Sequence, residues 1–244
     1  MNREPTTALP PPGPAEASPL VAPPAVATAV ERNLAALEPK LVALRRDIHA
    51  HPETGFDVAR TAGLLAGELR ELGLTVRTGV AGAGVVADLE GMRPGPRILV
   101  RAELDALPIR EASGLEFAAR GRAAHLCGHD LHLAAALGLA DVLAGLRESL
   151  AARVRFCLQP AEELLAGALP MVAEGVLEGV DAVLGAHVLS ALPLGTVVGI
   201  PALSSRGPTS SARPCQAGRA TRGLRGSSPM RSSRRPTSRL RCRR

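Results

Sequence analysis

Strand-like and helix-like segments alternate along the middle of the chain, between about Val30 and Leu203, and short joints marked by Gly or Pro connect them. Short β-branched runs indicate strands, and longer segments with apolar residues at helical spacing indicate helices. This order is typical of an α/β sheet with functional residues beyond the strand ends. Gly73 follows the second helix, where a left-handed residue is needed. The predicted strands are LTVRT, GVVADLE, RILVRAEL, RVRFCLQ and DAVLGAHV, and the predicted helices are LVALRRDIHAH, FDVARTAGLLAGELRELG and DLHLAAALGLADVLAGL.

The two ends of the chain differ in composition from the body at residues 30–203. Residues 1–29 contain eight prolines, which favours a disordered leader and interrupts any signal peptide. Residues 204–244 form a basic, low-complexity tail, in which residues 206–244 hold 12 Arg and no Lys, Asp or Glu. The whole chain has a net charge of +6, so residues 1–205 carry a net charge of −6.

The segment HLCGHDLH, residues 125–132, places three histidines, one cysteine and one aspartate within eight residues. Cys127 and His129 offer a thiolate and an imidazole, a pair suited to zinc, nickel, cobalt or manganese rather than to calcium or magnesium. The alternative is a buried structural thiol beside a hydrogen-bonded histidine. The pair by itself leaves both interpretations open.

Two further segments place polar residues at the ends of predicted strands. In QPAEE, residues 159–163, an extended chain would point adjacent side chains in opposite directions. Glu163 would then face a metal ion and Glu162 a substrate, whereas the alternative is a solvated acidic loop. In GAHV, His187 is either a ligand or a structural histidine.

Taken together, these segments resemble the metal-dependent amidohydrolases that include aminoacylases, hippurate hydrolases and indoleacetyl-amino-acid hydrolases, a branch of a larger metallopeptidase family. The resemblance extends from about Leu41 to Val198 and implies a zinc-peptidase-like catalytic domain, with a mixed sheet flanked by helices. The segments that carry it, in the family's order and spacing, contain all six histidines: RRDIHAHPETGF, RAELDALPI, HLCGHDLH, QPAEELLAGA and GAHVLSALPLGTV.

The resemblance implies a role for each matching residue. Glu162 matches a general base that takes a proton from water and passes it to the leaving amine. Asp105 would support the site from behind the ligands. The implied reaction hydrolyses the amide bond of N-acyl amino acids with two divalent ions, which would be zinc, manganese, nickel or cobalt. Four residues match ligands of these ions: Cys127, His129, Glu163 and His187.

The sequence departs from the family's pattern at two places. Glu103 stands where the family usually has Asp in RADMDALP, and its longer side chain could displace the group that this carboxylate orients. After Ile200 the family continues with a smaller lid domain and then completes the catalytic domain. That part would supply a last ligand histidine and a lid histidine that stabilises the oxyanion. We therefore expect an incomplete domain with impaired activity.

Two explanations of the basic tail are open. The tail is either a disordered arm that binds nucleic acid through phosphate contacts, or the product of a wrong reading frame from about residue 204. The second agrees better with a body that indicates a longer enzyme. The alternative to an amidohydrolase is therefore a non-catalytic metal-binding remnant or a basic-tailed nucleic-acid-binding protein. The negative charge and the lack of aromatic residues in the body argue against nucleic-acid recognition.

Cysteine content and hydropathy predict where the protein works. Four cysteines in a chain of 244 residues do not indicate a disulfide framework, so we expect reduced thiols. No run of about 18 uninterrupted apolar residues indicates a membrane span. We expect a cytoplasmic protein with a small-molecule N-acyl amino acid substrate and no membrane partner. Its full-length relatives are expected to form homo-oligomers through the lid domain.

Overall fold

The structure is a computed structural model and describes residues 24–198. Every predicted strand and helix is present, although DAVLGAHV is a strand only in its first half, and the short helix α4 was not expected. The elements in chain order are α1 (Pro24–Ala50), α2 (Ala59–Glu71), β1 (Thr75–Val80), β2 (Gly84–Glu90), β3 (Arg97–Glu103), α3 (His129–Gly145), β4 (Arg153–Gln159), α4 (Ala168–Ala173) and β5 (Ala182–Gly185).

The five strands form one mixed sheet in the order β1-β2-β4-β3-β5. Strand β2 pairs antiparallel with both β1 and β4, whereas β3 pairs parallel with both β4 and β5. This confirms the predicted fold class, a mixed α/β sheet flanked by helices. The carboxyl ends of β3, β4 and β5 therefore lie at the same edge of the sheet.

Side chains of alternate residues pack on the two faces of the sheet. On β4, Phe156 packs in the main core beneath α1, α2 and α3, whereas Cys157 joins a smaller cluster that includes Met171 of α4. This alternation is the two-residue period of a strand that is buried on both sides.

Gly73 ends α2 as the sequence predicts. Its φ is +76°, and its N–H donates to the carbonyl of Arg70 at 2.9 Å. The next residue, Leu74, donates to the carbonyl of Leu69 at 3.1 Å. These two bonds satisfy carbonyls that the end of a helix leaves without partners.

The start of α1 differs from the expectation. The helix begins at Pro24, inside the predicted leader at residues 1–29, so the sequence places this boundary too late. Proline is tolerated in the first turn because its missing N–H would have no helical partner there, and Ala and Val follow it. Residues 1–23 and the predicted basic tail at residues 204–244 lie outside the described residues.

The chain divides into two compact units, residues 1–188 and residues 189–244. All nine elements named above belong to the first unit, which ends before the predicted body boundary at residue 203. The second unit is described only at residues 189–198, where Leu192 donates to the carbonyl of Leu189 and Thr196 to that of Pro193. Among residues 24–198, no helix combines the length and the apolar character that crossing a membrane requires.

Candidate metal centre

The six residues predicted for the site come together at the carboxyl edge of the parallel strands. Asp105 follows β3, the pair Glu162 and Glu163 follows β4, and His187 follows β5. Cys127 and His129 lie at the start of α3, which begins at this same edge. In open α/β sheets, ligands bind outside the carboxyl ends of the strands.

His129 is oriented by the backbone of Asp105. Its Nδ1 lies 2.7 Å from the Asp105 carbonyl oxygen, which can only accept, so Nδ1 carries the proton. The other ring nitrogen, Nε2, is buried and has no hydrogen-bond partner among residues 24–198. This arrangement leaves the Nε2 lone pair available to a metal ion, and histidine ligands in metal sites are oriented in the same way.

Glu162 and Glu163 lie in a turn, not in an extended strand, so the predicted alternation of the pair is wrong. Ala161, just before them, has a φ of +51°, which ends the strand geometry. Asp105 holds the turn, because its Oδ1 and Oδ2 accept from the backbone N–H groups of Glu162 at 2.9 Å and Glu163 at 3.1 Å.

Both carboxylates face His129 at a distance too long for a hydrogen bond. Glu162 Oε2 lies 3.6 Å from His129 Nε2, and Glu163 Oε1 lies 3.8 Å from it. Glu163 Oε1 is also buried without a hydrogen-bond partner in the described part of the chain. Two buried atoms with open lone pairs, one nitrogen and one oxygen, therefore face the same space.

Cys127 and His187 complete this group from the other side. Cys127 Sγ lies 3.4 Å from His187 Nε2, and His187 Nδ1 donates to the carbonyl of Val188 at 2.7 Å. The pKa of the Cys127 thiol is raised to about 11. Burial is the largest cause, and nearby carboxylates, first that of Glu163, add to it. A bound cation would offset that negative charge and favour the thiolate.

Three sets of three residues meet at His129, and in each set one donor atom per residue lies within 4.8 Å of the others. Nitrogen, sulfur and carboxylate donors of this kind suit divalent transition-metal ions. The residues present therefore fit such ions. Two of the sets are Cys127, His129 and His187, and His129, Glu162 and Glu163. The third is Glu103, His129 and His132, in which both ring nitrogens of His132 already form hydrogen bonds.

Three residues that the sequence did not assign to the site lie beside it. Buried Glu103 contacts His132 at 2.7 Å and Arg101 at 2.6 Å. Burial alone would raise the pKa of Glu103, but the hydrogen bond to His132 and the charge of Arg101 outweigh it and lower the pKa. Their spacing in the sequence could have indicated all three. His132 is three residues after His129 on a helix, and Arg101 shares a strand face with Glu103.

Arg101 also connects this group to the glutamate turn. Its Nη2 lies 3.7 Å from Glu162 Oε1, and its Nε donates to Gln159 Oε1 at 2.7 Å. A guanidinium held by three side chains fixes positive charge beside Glu162.

Comparisons with known proteins agree with this geometry. N-acetyl-L-cysteine deacetylase of Bacillus subtilis is 41% identical over 166 residues, which are 68% of this chain and 40% of that protein. N-acyl-L-amino acid amidohydrolase of Geobacillus stearothermophilus is 38% identical over 170 residues, 69% of this chain and 46% of that protein. This chain thus spans less than half the length of these relatives.

Among solved structures, the YXEP protein of Bacillus subtilis is described as a dinuclear metal binding peptidase from the M20 family. It matches with a TM-score of 0.65 and 40% identity, over 68% of this chain and 47% of that one. The sequence profile of the peptidase family M20/M25/M40 matches residues 99–231, more than half of the chain. With the fold, the clustered donor atoms and this match in agreement, the chain belongs to peptidase family M20/M25/M40.

Proposed function

We propose that this chain is the N-terminal part of a two-metal amidohydrolase that cleaves the amide bond of N-acyl amino acids. The observation that carries the proposal is the meeting of two donor sets at the buried, unpartnered Nε2 of His129. Such an atom is rare in a folded protein unless a ligand satisfies it.

In this proposal the residues of the set with Cys127 and His187 and of the set with Glu162 and Glu163 would hold two divalent ions of zinc, manganese, nickel or cobalt. When bound, they would polarise the scissile carbonyl and lower the pKa of water. Asp105 holds the glutamate turn through both of its carboxylate oxygens, and its carbonyl orients His129. The residues assigned as ligands are Cys127, His129, Glu163 and His187.

Glu162 is assigned as the general base. Its side chain borders the ligand cluster, and it is more exposed than that of Glu163, so water and substrate can reach it. It takes a proton from the attacking water while the water oxygen bonds to the amide carbon. It then returns the proton to the amide nitrogen as the carbon–nitrogen bond breaks, so that an amine and a carboxylic acid leave, the acid keeping the second proton of the water until it ionises.

The substrate class rests on the relatives, whose names include an N-acetyl-L-cysteine deacetylase and an N-acyl-L-amino acid amidohydrolase. The substrate is accordingly a small molecule. The longer protein is a homo-oligomer in this proposal. A cytoplasmic location is part of the same proposal and is supported by Cys127 and Cys157, which form no disulfide within residues 24–198.

The test compares hydrolysis of a set of N-acetyl amino acids by the 244-residue chain loaded with cobalt or manganese and by its Glu162→Gln variant. We expect a chelator-sensitive rate that falls by roughly 100- to 10,000-fold in Glu162→Gln, the range for removal of a general base. Metal content should stay unchanged, because Glu162 is not assigned as a ligand.

Glu148→Gln is the matched control, since Glu148 is exposed and follows the C-terminal end of α3, whereas His129 lies at the N-terminal end of that helix. Its rate should equal that of the unmodified chain. Equal rates in Glu162→Gln and the unmodified chain would contradict the proposed activity. Retained metal binding would then favour a non-catalytic remnant, and steeply salt-dependent binding to DNA or RNA would favour a nucleic-acid-binding protein.

A further inference from the structure

Both ring nitrogens of His132 are already used in hydrogen bonds. Nε2 lies 3.0 Å from the backbone N–H of Val188, which can only donate, so Nε2 accepts. Nδ1 therefore carries the proton and donates to Glu103 Oε2 at 2.7 Å. The ring could not ligate an ion without breaking one of these bonds, which sets His132 apart from His129.

Glu103 fixes the orientation of that ring. Its side chain is buried, and its second oxygen, Oε1, lies 2.6 Å from Arg101 Nη1. A carboxylate held at both oxygens cannot rotate freely, so it fixes which nitrogen of His132 faces Val188. Charge-assisted bonds of this kind are the stronger ones in proteins.

The Val188 backbone connects His132 to His187, the residue before Val188 in the chain. The Val188 N–H is held by His132, and the Val188 carbonyl accepts from His187 Nδ1 at 2.7 Å. His187 Nε2 then faces Cys127 Sγ at 3.4 Å. Both His187 and strand β5 before it are exposed, so packing does little to hold this segment.

Gly128 gives Val188 the room to approach. A Cβ built on Gly128 would lie 2.2 Å from Val188 Cγ2, so any side chain there would displace Val188. Gly128 also has a φ of +85°, a conformation that other residues rarely adopt.

We propose that Glu103 and His132 are positioning residues that hold the Val188 backbone, and through it the His187 imidazole, where His187 can ligate a metal ion. This inference rests on the proposed function, because it takes His187 as a ligand. It also gives a role to Glu103, the position at which the sequence departs from the family's usual Asp.

The test is a double-mutant cycle on Co²⁺ affinity in the 244-residue chain, read from visible absorption. His132→Asn keeps a donor near the position of Nδ1 and loses the acceptor at Nε2. We expect this variant to bind Co²⁺ about 10- to 100-fold more weakly, because that is the usual effect of losing a group that orients a ligand. His132→Gln, whose amide oxygen reaches toward Nε2, should restore part of the affinity.

The cycle separates the two hypotheses. In a His187→Ala background, His132→Asn should change the affinity little, because the ligand through which it acts is gone. If His132→Asn weakens binding equally with and without His187, the positioning role is wrong. If His187→Ala alone leaves Co²⁺ binding unchanged, the ligand assignment in the proposed function is wrong instead.

A second pair of variants does not alter any polar residue. Gly128→Ala should weaken Co²⁺ binding by displacing Val188, whereas Gly82→Ala should not, although Gly82 has the same φ of +85° and open space around it. The pair therefore matches the positive φ and differs in the contact with Val188 and in the position of Gly128 between Cys127 and His129. Equal affinities in the two variants would contradict the inference.

Nitrogen-15 NMR of the metal-free chain tests the hydrogen bonds that connect Glu103, His132 and Val188 without any ion. We expect the Nδ1–H tautomer for His132 and a slowly exchanging Val188 amide. The Nε2–H tautomer of His132, or a Val188 amide that exchanges as fast as an exposed amide without a hydrogen bond, would overturn the inference. This holds even if the His132 variants fail to fold.

Discussion

His129 and His132 lie one turn apart at the start of α3, yet their ring nitrogens are used differently. His129 leaves Nε2 without a hydrogen bond in the described part of the chain, whereas His132 uses both nitrogens. The sequence predicts that both residues share a helix face. It does not show which nitrogen is free, because that depends on the Asp105 carbonyl and on Val188, which other elements bring to α3.

A second buried polar group surrounds Asp130, the residue after His129. Asp130 Oδ2 lies 2.8 Å from His49 Nδ1 and 2.6 Å from Arg45 Nε, and both partners belong to α1. His49 Nε2 also contacts Glu111 at 3.1 Å. These contacts join α1 to α3 and to the loop after β3. His125 lies beside them with neither ring nitrogen bonded among residues 24–198.

His125 should make the fold sensitive to acid. Burial lowers the pKa of His125 from 6.5 to about 4, so between these values the unfolded chain binds a proton that the folded chain does not. The free energy of unfolding therefore decreases as the pH falls from 6.5 to 4, by at most about 3 kcal/mol from this residue. His125→Leu should flatten this dependence by about one proton in urea denaturation measured across that range.

Thr78 provides the control for that experiment, because it is exposed and its side chain does not titrate. Thr78→Ala should leave the pH dependence of the free energy of unfolding as it is in the unmodified chain. Parallel pH curves for His125→Leu and the unmodified chain would contradict the account of a buried, unprotonated His125.

Among the elements, β4 contributes most to both the core and the site. It lies in the middle of the sheet between β2 and β3, and its carboxyl end leads into the glutamate turn. Its β-branched and apolar run RVRFCLQ is sufficient to predict the strand and its ends. The turn that follows was not predictable from this pattern, because it depends on the positive φ of Ala161 and on the buried Asp105 carboxylate.

Phe156, at the centre of β4, should be one of the most sensitive core positions. Its side chain is 0% exposed in the cluster between the sheet and α1 to α3. Phe156→Ala should lower the free energy of unfolding by about 3–5 kcal/mol, because it removes buried surface and leaves a cavity. Urea denaturation followed by circular dichroism measures this change.

Phe56 is the matched residue, since it is 43% exposed. Phe56→Ala should change the free energy of unfolding by roughly 0.5 kcal/mol or less, as is usual for surface positions. Comparable losses in the two variants would mean that β4 does not have the central place in the core that the structure gives it.

At the scale of the whole molecule, the site is assembled from segments far apart in the chain. The parallel pairing of β3 with β4 and β5 brings the ends of three strands together. His129, the first residue of α3, and Cys127, two residues before it, lie at the same edge. The order of strands and helices made this edge predictable as the place for the site. The pairing of His132 with Glu103 and Val188 was not predictable, because it depends on three-dimensional contacts between α3, β3 and the segment after β5.

The described structure also leaves apolar surface at one edge of the sheet. Val183 and Leu184 of β5 are 59% and 53% exposed. Within residues 24–198, strand β5 pairs on one side only, with β3. The chain spans less than half the length of these two relatives, and its donor cluster can be tested by itself.

The most direct test of the central claim, that Cys127 and its neighbours form a metal centre, is the absorption spectrum of the chain titrated with Co²⁺. We expect saturable binding with a thiolate-to-cobalt charge-transfer band. The band should be lost in Cys127→Ala and kept in Cys157→Ala, since Cys157 is buried in the cluster with Met171 and belongs to none of the donor sets that meet at His129. An unchanged band in Cys127→Ala, or no Co²⁺ bound by the unmodified chain, would contradict the account.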